Sequence, residues 1–187
     1  MDKQRFLNPP AEFRPIPFWS WNDKLEPVRL EHQVRAFAAA GMGGFFMHAR
    51  PGIRTPFLSE EWFTAITASV DAAEETGLEA WLYDECSYPS GFAGGFVPAK
   101  RPDLAQKWLR CRQVQPQTSL TGDSTLGLFT ISAEGYRFLR TDETPPEGIL
   151  LQFSMETHQG TGWLNGYPYI DLLHPDSAET FLEIAYV

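Results

Sequence analysis

The chain is 187 residues long, which allows one domain, or one and a fraction, with a buried core; 43% apolar and 21% charged residues are ordinary for a soluble globular protein. A formal net charge of −9 and a pI near 4.9 repel phosphate backbones and argue against nucleic-acid partners. No window reaches the ~18 apolar residues needed to span a bilayer, and the start, MDKQRFLNPPAEFRP, lacks the apolar stretch of a secretory signal, so no membrane partner and a cytoplasmic location are expected.

Residues 16–21, IPFWSW, are short and aromatic after a Pro-rich lead and read as a strand. A helix follows: Pro27 suits its first turn, Leu30, Val34 and Phe37 recur at helical spacing, and Gly41 fits the position just past its end. Residues 43–48, GGFFMH, read as a second buried strand. Ser59 is a good N-cap for the next helix, with Glu60 and Glu61 beside its positive end; Trp62, Phe63, Ile66, Val70 and Ala73 form its expected apolar face, and Gly77 ends it. Residues 79–84, EAWLYD, make the third strand. Such alternation, with strands apolar throughout, predicts a parallel sheet. A barrel and an open doubly wound sheet both satisfy it, but neither GxGxxG nor a Walker loop follows a strand, and the long loops after each strand suit a barrel.

Beyond residue 100, PDLAQKWL suggests a short helix or turn. Then STLGLFTIS, GYRFLRT and GILLQFSMETH are short β-like runs split by turn residues. NGYPYIDLLHP reads as a fourth strand and DSAETFLEIAYV as the start of its helix. The expected fold is therefore α/β: a partial (β/α)8 TIM-type barrel with an inserted antiparallel β subdomain. Its parts are three βα units over residues 1–109, the insert over 110–162, and the fourth strand with the start of its helix over 163–187. Because the chain stops within a helical pattern, a barrel cut about halfway round is expected, with this fragment inactive by itself.

In a barrel the strand C-terminal ends build the active site. There stand Trp19, Trp21 and Asn22; His48 and Arg50; Asp84 and Glu85; and Asp171 and His174. Glycoside cleavage needs two carboxyl groups flanking the scissile bond, and Asp84 and Glu85 are the catalytic candidates. Adjacent on a strand, they point to opposite sides, so one faces the pocket and the other orients His48 or Arg50. Trp19 or Trp21 either stacks on a sugar or fills the core. Asn22 either bonds substrate or caps a turn, as does Asp171. Arg50 either binds substrate or pairs with Asp84 or Glu85. In the loop ECSYPSGFAGGFVP, Tyr88 could line a sugar subsite, while Gly91, Gly94 and Gly95 either bring backbone amides to an anion or simply shape a tight loop. Cys86 and Cys111 show no CxxC spacing and no neighbouring His cluster, which argues against a disulfide framework or a zinc site. No metal or cofactor is read from these residues.

PFWSWN, GGFFMHAR, EEWF, and AWLYDE followed by PSGFAGG resemble the N-terminal barrel segments of bacterial proteins related to glycoside hydrolase family 106, the α-L-rhamnosidases. YPYIDLLHPDSAETFLEIAY is similar to their fourth strand and helix, so the resemblance covers about residues 14–100 and 166–187. It implies a sugar-active barrel, a carbohydrate substrate, an inverting mechanism and a calcium ion near the site. Members often carry Asp-Glu-Asp after the third strand; here Cys86 takes the third place. Two other readings stay open: a non-catalytic carbohydrate-binding relative, and another barrel hydrolase. A metal-dependent form of the latter would need a His/Asp cluster, whereas the chain has four His and no HxH after its first strand.

Overall fold

The structure is a computed structural model that describes residues 3–115, 124–140, 143–144 and 148–186. The parts of the expected insert at 116–123, 141–142 and 145–147, and the final residue 187, lie outside the described residues. In chain order the elements are α1 (Lys3–Leu7), β1 (Phe18–Trp21), α2 (Pro27–Ala39), β2 (Gly44–Ala49), α3 (Glu60–Thr76), β3 (Glu79–Cys86), α4 (Phe96–Lys100), β4 (Lys107–Val114), β5 (Thr125–Ser132), β6 (Gly135–Leu139), β7 (Ile149–Thr157) and α5 (Asp176–Ala185). The chain divides into two compact units, Met1–Leu104 with Gly160–Val187, and Ala105–Gln159.

In the first unit, β1, β2 and β3 form a parallel sheet in that order. The caps act as their residue types dictate. Pro27 opens α2 where no N–H is needed. The Ser59 side chain accepts the Trp62 N–H at 3.2 Å, and Gly77, at φ 69°, closes α3 with its N–H on the carbonyls of Ala73 and Glu74. The buried face of α3 differs from the expected one. It is Trp62, Ala65, Ser69, Ala72 and Ala73, while Phe63 and Val70 are exposed. Small residues let the helix axis approach its neighbours closely, and that close packing outweighs burying the larger side chains. Trp21, Leu30, Val34, Phe45, Met47, Ala49 and Trp62 form one core with this face.

Gly44 shows how tightly β2 and β3 are fitted. A Cβ there would collide with the backbone carbonyl oxygen of Glu79. Gly44→Ala should therefore destabilise the chain by roughly 1–3 kcal/mol through overpacking. Thermal unfolding measures it, and an unchanged melting temperature would show that the strands can part at no cost.

The expected barrel is not formed. The described residues make an open three-stranded parallel sheet and a separate four-stranded antiparallel sheet, and neither closes. Eight tilted strands close such a barrel, whereas here β1 and β3 are both edges. The segment expected as the fourth strand runs as turns instead. Asn165 and Gly166 take left-handed conformations. Asp171 Oδ1 accepts the Leu173 N–H at 3.0 Å, and the Asp171 carbonyl accepts the His174 N–H at 3.1 Å. Such local bonds from an Asp compete directly with a strand ladder.

The second unit is antiparallel, in the order β4-β7-β5-β6. β4 pairs with β7 from Lys107↔Thr157 to Val114↔Leu150. β5 and β6 form a hairpin closing at Ser132↔Gly135. Leu128, Leu139 and Leu150 are its buried apolar centre. This unit begins at Ala105, ahead of the expected 110, because KWLRCRQV is strand and not the end of a helix or turn.

Candidate functional site

The strand ends are tied together by two backbone bonds: Arg50 N–H to the Trp21 carbonyl and Ser87 N–H to the Ala49 carbonyl, both 2.9 Å. Between them β3 is irregular, since Met47 pairs with Leu82 but Ala49 pairs with Cys86. Between those pairs β3 carries Tyr83, Asp84 and Glu85 against His48 alone in β2, two residues more. Bulges of this kind re-aim side chains, and here the three residues go to three surroundings.

Glu85 is fully buried. Its Oε2 accepts the N–H groups of Gly91, Phe92 and Ala93 at 2.8–3.0 Å, and its Oε1 accepts those of Cys86, at 2.8 Å, and Gly94. The loop can present so many amides because Gly91, Ala93, Gly94 and Gly95 all have positive φ. At Gly95 a side chain is also barred by the Tyr167 ring, which a Cβ would strike. The amides of PSGFAGG thus do converge on an anion, and that anion is the chain's own Glu85. Burial pushes the Glu85 carboxyl up to about 7, against the pull of the amides in the other direction.

Asp84 is half-buried. Its Oδ1 accepts from Ser90 Oγ at 2.8 Å and its Oδ2 from the Tyr186 hydroxyl at 3.0 Å. It lines a cavity of about 190 Å³ walled by Phe57, Trp62, Phe63, Leu82 and Tyr186. Tyr83 turns the other way, onto His48 at 4.2 Å between ring centres, and Phe18 packs on both rings.

His48 is fully buried, with Nε2 2.6 Å from the Ser87 carbonyl. A carbonyl only accepts, so Nε2 carries the proton in the neutral ring, and the buried Nδ1 has no partner among the described residues. Burial holds the imidazole below its usual 6.5. The sign follows. The unfolded chain takes up a proton below about 6.5 before the folded chain does, so this contribution to stability is complete above that pH and is lost as pH falls through the folded value. On acidification from pH 7 to 5 the wild type should lose melting temperature relative to His48→Gln, which keeps a donor for Ser87, while Glu85, pushed up to about 7, acts in the opposite sense in both proteins. Equal slopes in the two proteins would refute the assignment.

The other residues singled out by sequence lie in several surroundings. Trp19 and Trp21 face the helices. Trp19 packs edge-on against Trp21, Phe37 and Phe45 and donates Nε1 to Gln33 at 3.0 Å, while Trp21 is buried in the core. Asn22 is exposed. Asp171 shapes its own turn, and His174 Nδ1 accepts the Asp176 N–H at 3.2 Å. Arg50 makes no ion pair among the described residues; its guanidinium lies 4.8 Å from the centre of the Trp163 ring. Tyr88 is exposed, and its carbonyl accepts the Trp163 Nε1–H at 3.0 Å.

Trp163, Ser87, Ser90 and Tyr186 were not singled out by sequence. The one available signal was a Trp amid turn residues in GTGWLNG. The calcium ion implied by the family resemblance finds no group of three His, Cys, Asp or Glu placed to hold a metal among the described residues, and Glu85 spends both oxygens on amides. The donor set does not fit a cation that takes six to eight oxygens. Among the described residues, no helix is long and apolar enough to cross a membrane.

The sequence matches no protein-family model and no curated protein. Among solved structures, a rhamnosidase from Novosphingobium sp. PP1Y is similar with a TM-score of 0.47 and 17% identity, over 68% of this chain. The chain spans 15% of that rhamnosidase's length.

Proposed function

We propose that the protein is a glycoside hydrolase of the α-L-rhamnosidase kind, with Asp84 as a carboxylate that faces the sugar and Glu85 as a positioning residue. The observation that carries this reading is the surroundings of Asp84: one carboxylate, oriented by the hydroxyls of Ser90 and Tyr186, in a small cavity with aromatic and aliphatic walls. Apolar walls suit the C–H face and methyl group of a deoxy sugar. A carboxylate beside the ring stabilises the oxocarbenium-like charge that develops as the glycosidic bond breaks. The likeness of PFWSWN, GGFFMHAR and AWLYDE with PSGFAGG to the rhamnosidase family supports the same reading.

The residues of this chain then divide the work. Glu85 gathers the loop 91–94 and so fixes Ser90, which orients Asp84. Tyr186, from the end of α5, holds the second oxygen of Asp84. The test is hydrolysis of aryl α-L-rhamnosides by the protein, compared with its Asp84→Asn variant. A second reading, glycan binding without cleavage, is favoured by the exposed rings of Tyr88 and Trp163. It predicts affinity for oligosaccharides with no turnover of any aryl glycoside.

A further inference from the structure

We infer that Arg50, Trp163 and Tyr88 form a subsite for the carboxylate of an acidic sugar, a hexuronate unit of the glycan; the inference rests on the glycan-active reading above. Arg50 differs from six arginines that stand in ion pairs, and it differs from Arg5, Arg14 and Arg29, which also stand in none among the described residues, by lying against an aromatic ring. Arg35, Arg54, Arg101, Arg110, Arg112 and Arg137 each have a carboxylate within 4.0 Å. Arg50 has none among the described residues, although the chain carries 24 acidic side chains against 15 basic ones. Its guanidinium lies instead against the ring of Trp163. A guanidinium on an aromatic face keeps its N–H edge turned outward, where it can take a planar carboxylate with two parallel bonds.

The backbone that carries Arg50 and the ring of Trp163 are both held in place. The Arg50 backbone is fixed by its N–H on Trp21 and its carbonyl on the Ile53 N–H, at 2.9 and 3.0 Å. Trp163 is pinned by Nε1 on the Tyr88 carbonyl and by the Ser87 hydroxyl, which donates to the Trp163 carbonyl at 2.5 Å. With its N–H already satisfied, the ring offers only apolar surface. It remains 53% exposed, and Tyr88 beside it 56%. A cation without an ion pair among the described residues, lying against one exposed ring, is the donor set for a ligand that is both anionic and flat-faced. A uronic acid has both features, with a carboxylate for Arg50 and an axial C–H face for the Trp163 ring. A neutral sugar would use only the ring.

The test is calorimetric and fluorescence titration of the 187-residue chain with trigalacturonic acid and with the same trisaccharide after carboxyl reduction. The acidic sugar should bind about ten-fold tighter, the scale of one charge-assisted contact. Arg50→Gln should erase the preference while leaving the neutral affinity. Arg50→Lys should retain part of it. Trp163→Ala should weaken both sugars, and Trp163→Phe, which keeps a ring if the alanine variant does not fold, should bind both. Equal affinity for the two trisaccharides, or a preference that survives Arg50→Gln, overturns the subsite and leaves the glycan reading standing. If neither trisaccharide binds, the subsite is overturned, while the glycan reading is decided separately by hydrolysis of aryl α-L-rhamnosides. Equal binding of tri-aspartate would reassign the site to acidic peptide and overturn the sugar inference.

Discussion

Glu85→Gln lowers the melting temperature by on the order of 10 °C when measured at pH 8, where the wild-type carboxyl is ionised. The surroundings of Glu85 contain donors alone: the N–H groups of Cys86, Gly91, Phe92, Ala93 and Gly94. A carboxylate accepts with both oxygens. A glutamine accepts with one and must drive its NH₂ against two or three amides. Loss of charge-assisted bonds in a buried place, with donors left unpaired, costs roughly 3–5 kcal/mol, and for a domain of this size each kcal/mol moves the midpoint by a few degrees. Glu85→Asp keeps the charge but is one methylene short, so it should fall between the two. The rival view puts Glu85 in contact with substrate; it predicts an unchanged midpoint and a collapse of turnover. Thermal unfolding and turnover per folded molecule, measured on the same preparations, separate the views.

What the sequence made legible was local. Ser59, Pro27, Gly41 and Gly77 announce helix ends because capping is decided within a few residues. The three parallel strands follow from apolar runs set between helices, and they stand in the expected order. Closure was not legible. Whether a strand pattern joins a sheet depends on partners far along the chain, and at Asp171 a short-range turn won. Adjacent Asp84 and Glu85 could be expected to diverge, but not where each would go. That depended on the irregular pairing of β3 and on a loop whose amides fold back on Glu85. Trp19 and Trp21 look like sugar platforms by residue type, yet strand alternation turns both toward the helices, where Phe37 and Phe45 cover Trp19.

Asp84→Asn should lower kcat on an aryl α-L-rhamnoside by roughly 10²–10⁴-fold and leave the midpoint of unfolding within a few degrees. The contrast with Glu85 lies in the neighbours. Asp84 meets hydroxyls, those of Ser90 and Tyr186, and a hydroxyl can donate or accept. Asparagine can take the Ser90 bond on its oxygen and give its NH₂ to Tyr186, whose proton rotates away. The half-buried setting makes any remaining mismatch small. What the amide cannot replace is charge. It neither stabilises a cationic ring nor carries a proton. Opposite signatures are thus expected from two neighbouring carboxylates: stability lost at Glu85, and turnover lost at Asp84. Full activity in Asp84→Asn would remove it from the chemistry, and a collapse of the fold would make it a strut for Tyr186 and the end of α5. Tyr186→Phe sharpens the point. It frees Asp84 Oδ2 without touching the charge, so a lower kcat with little change in KM is the result expected of a residue that orients the carboxylate.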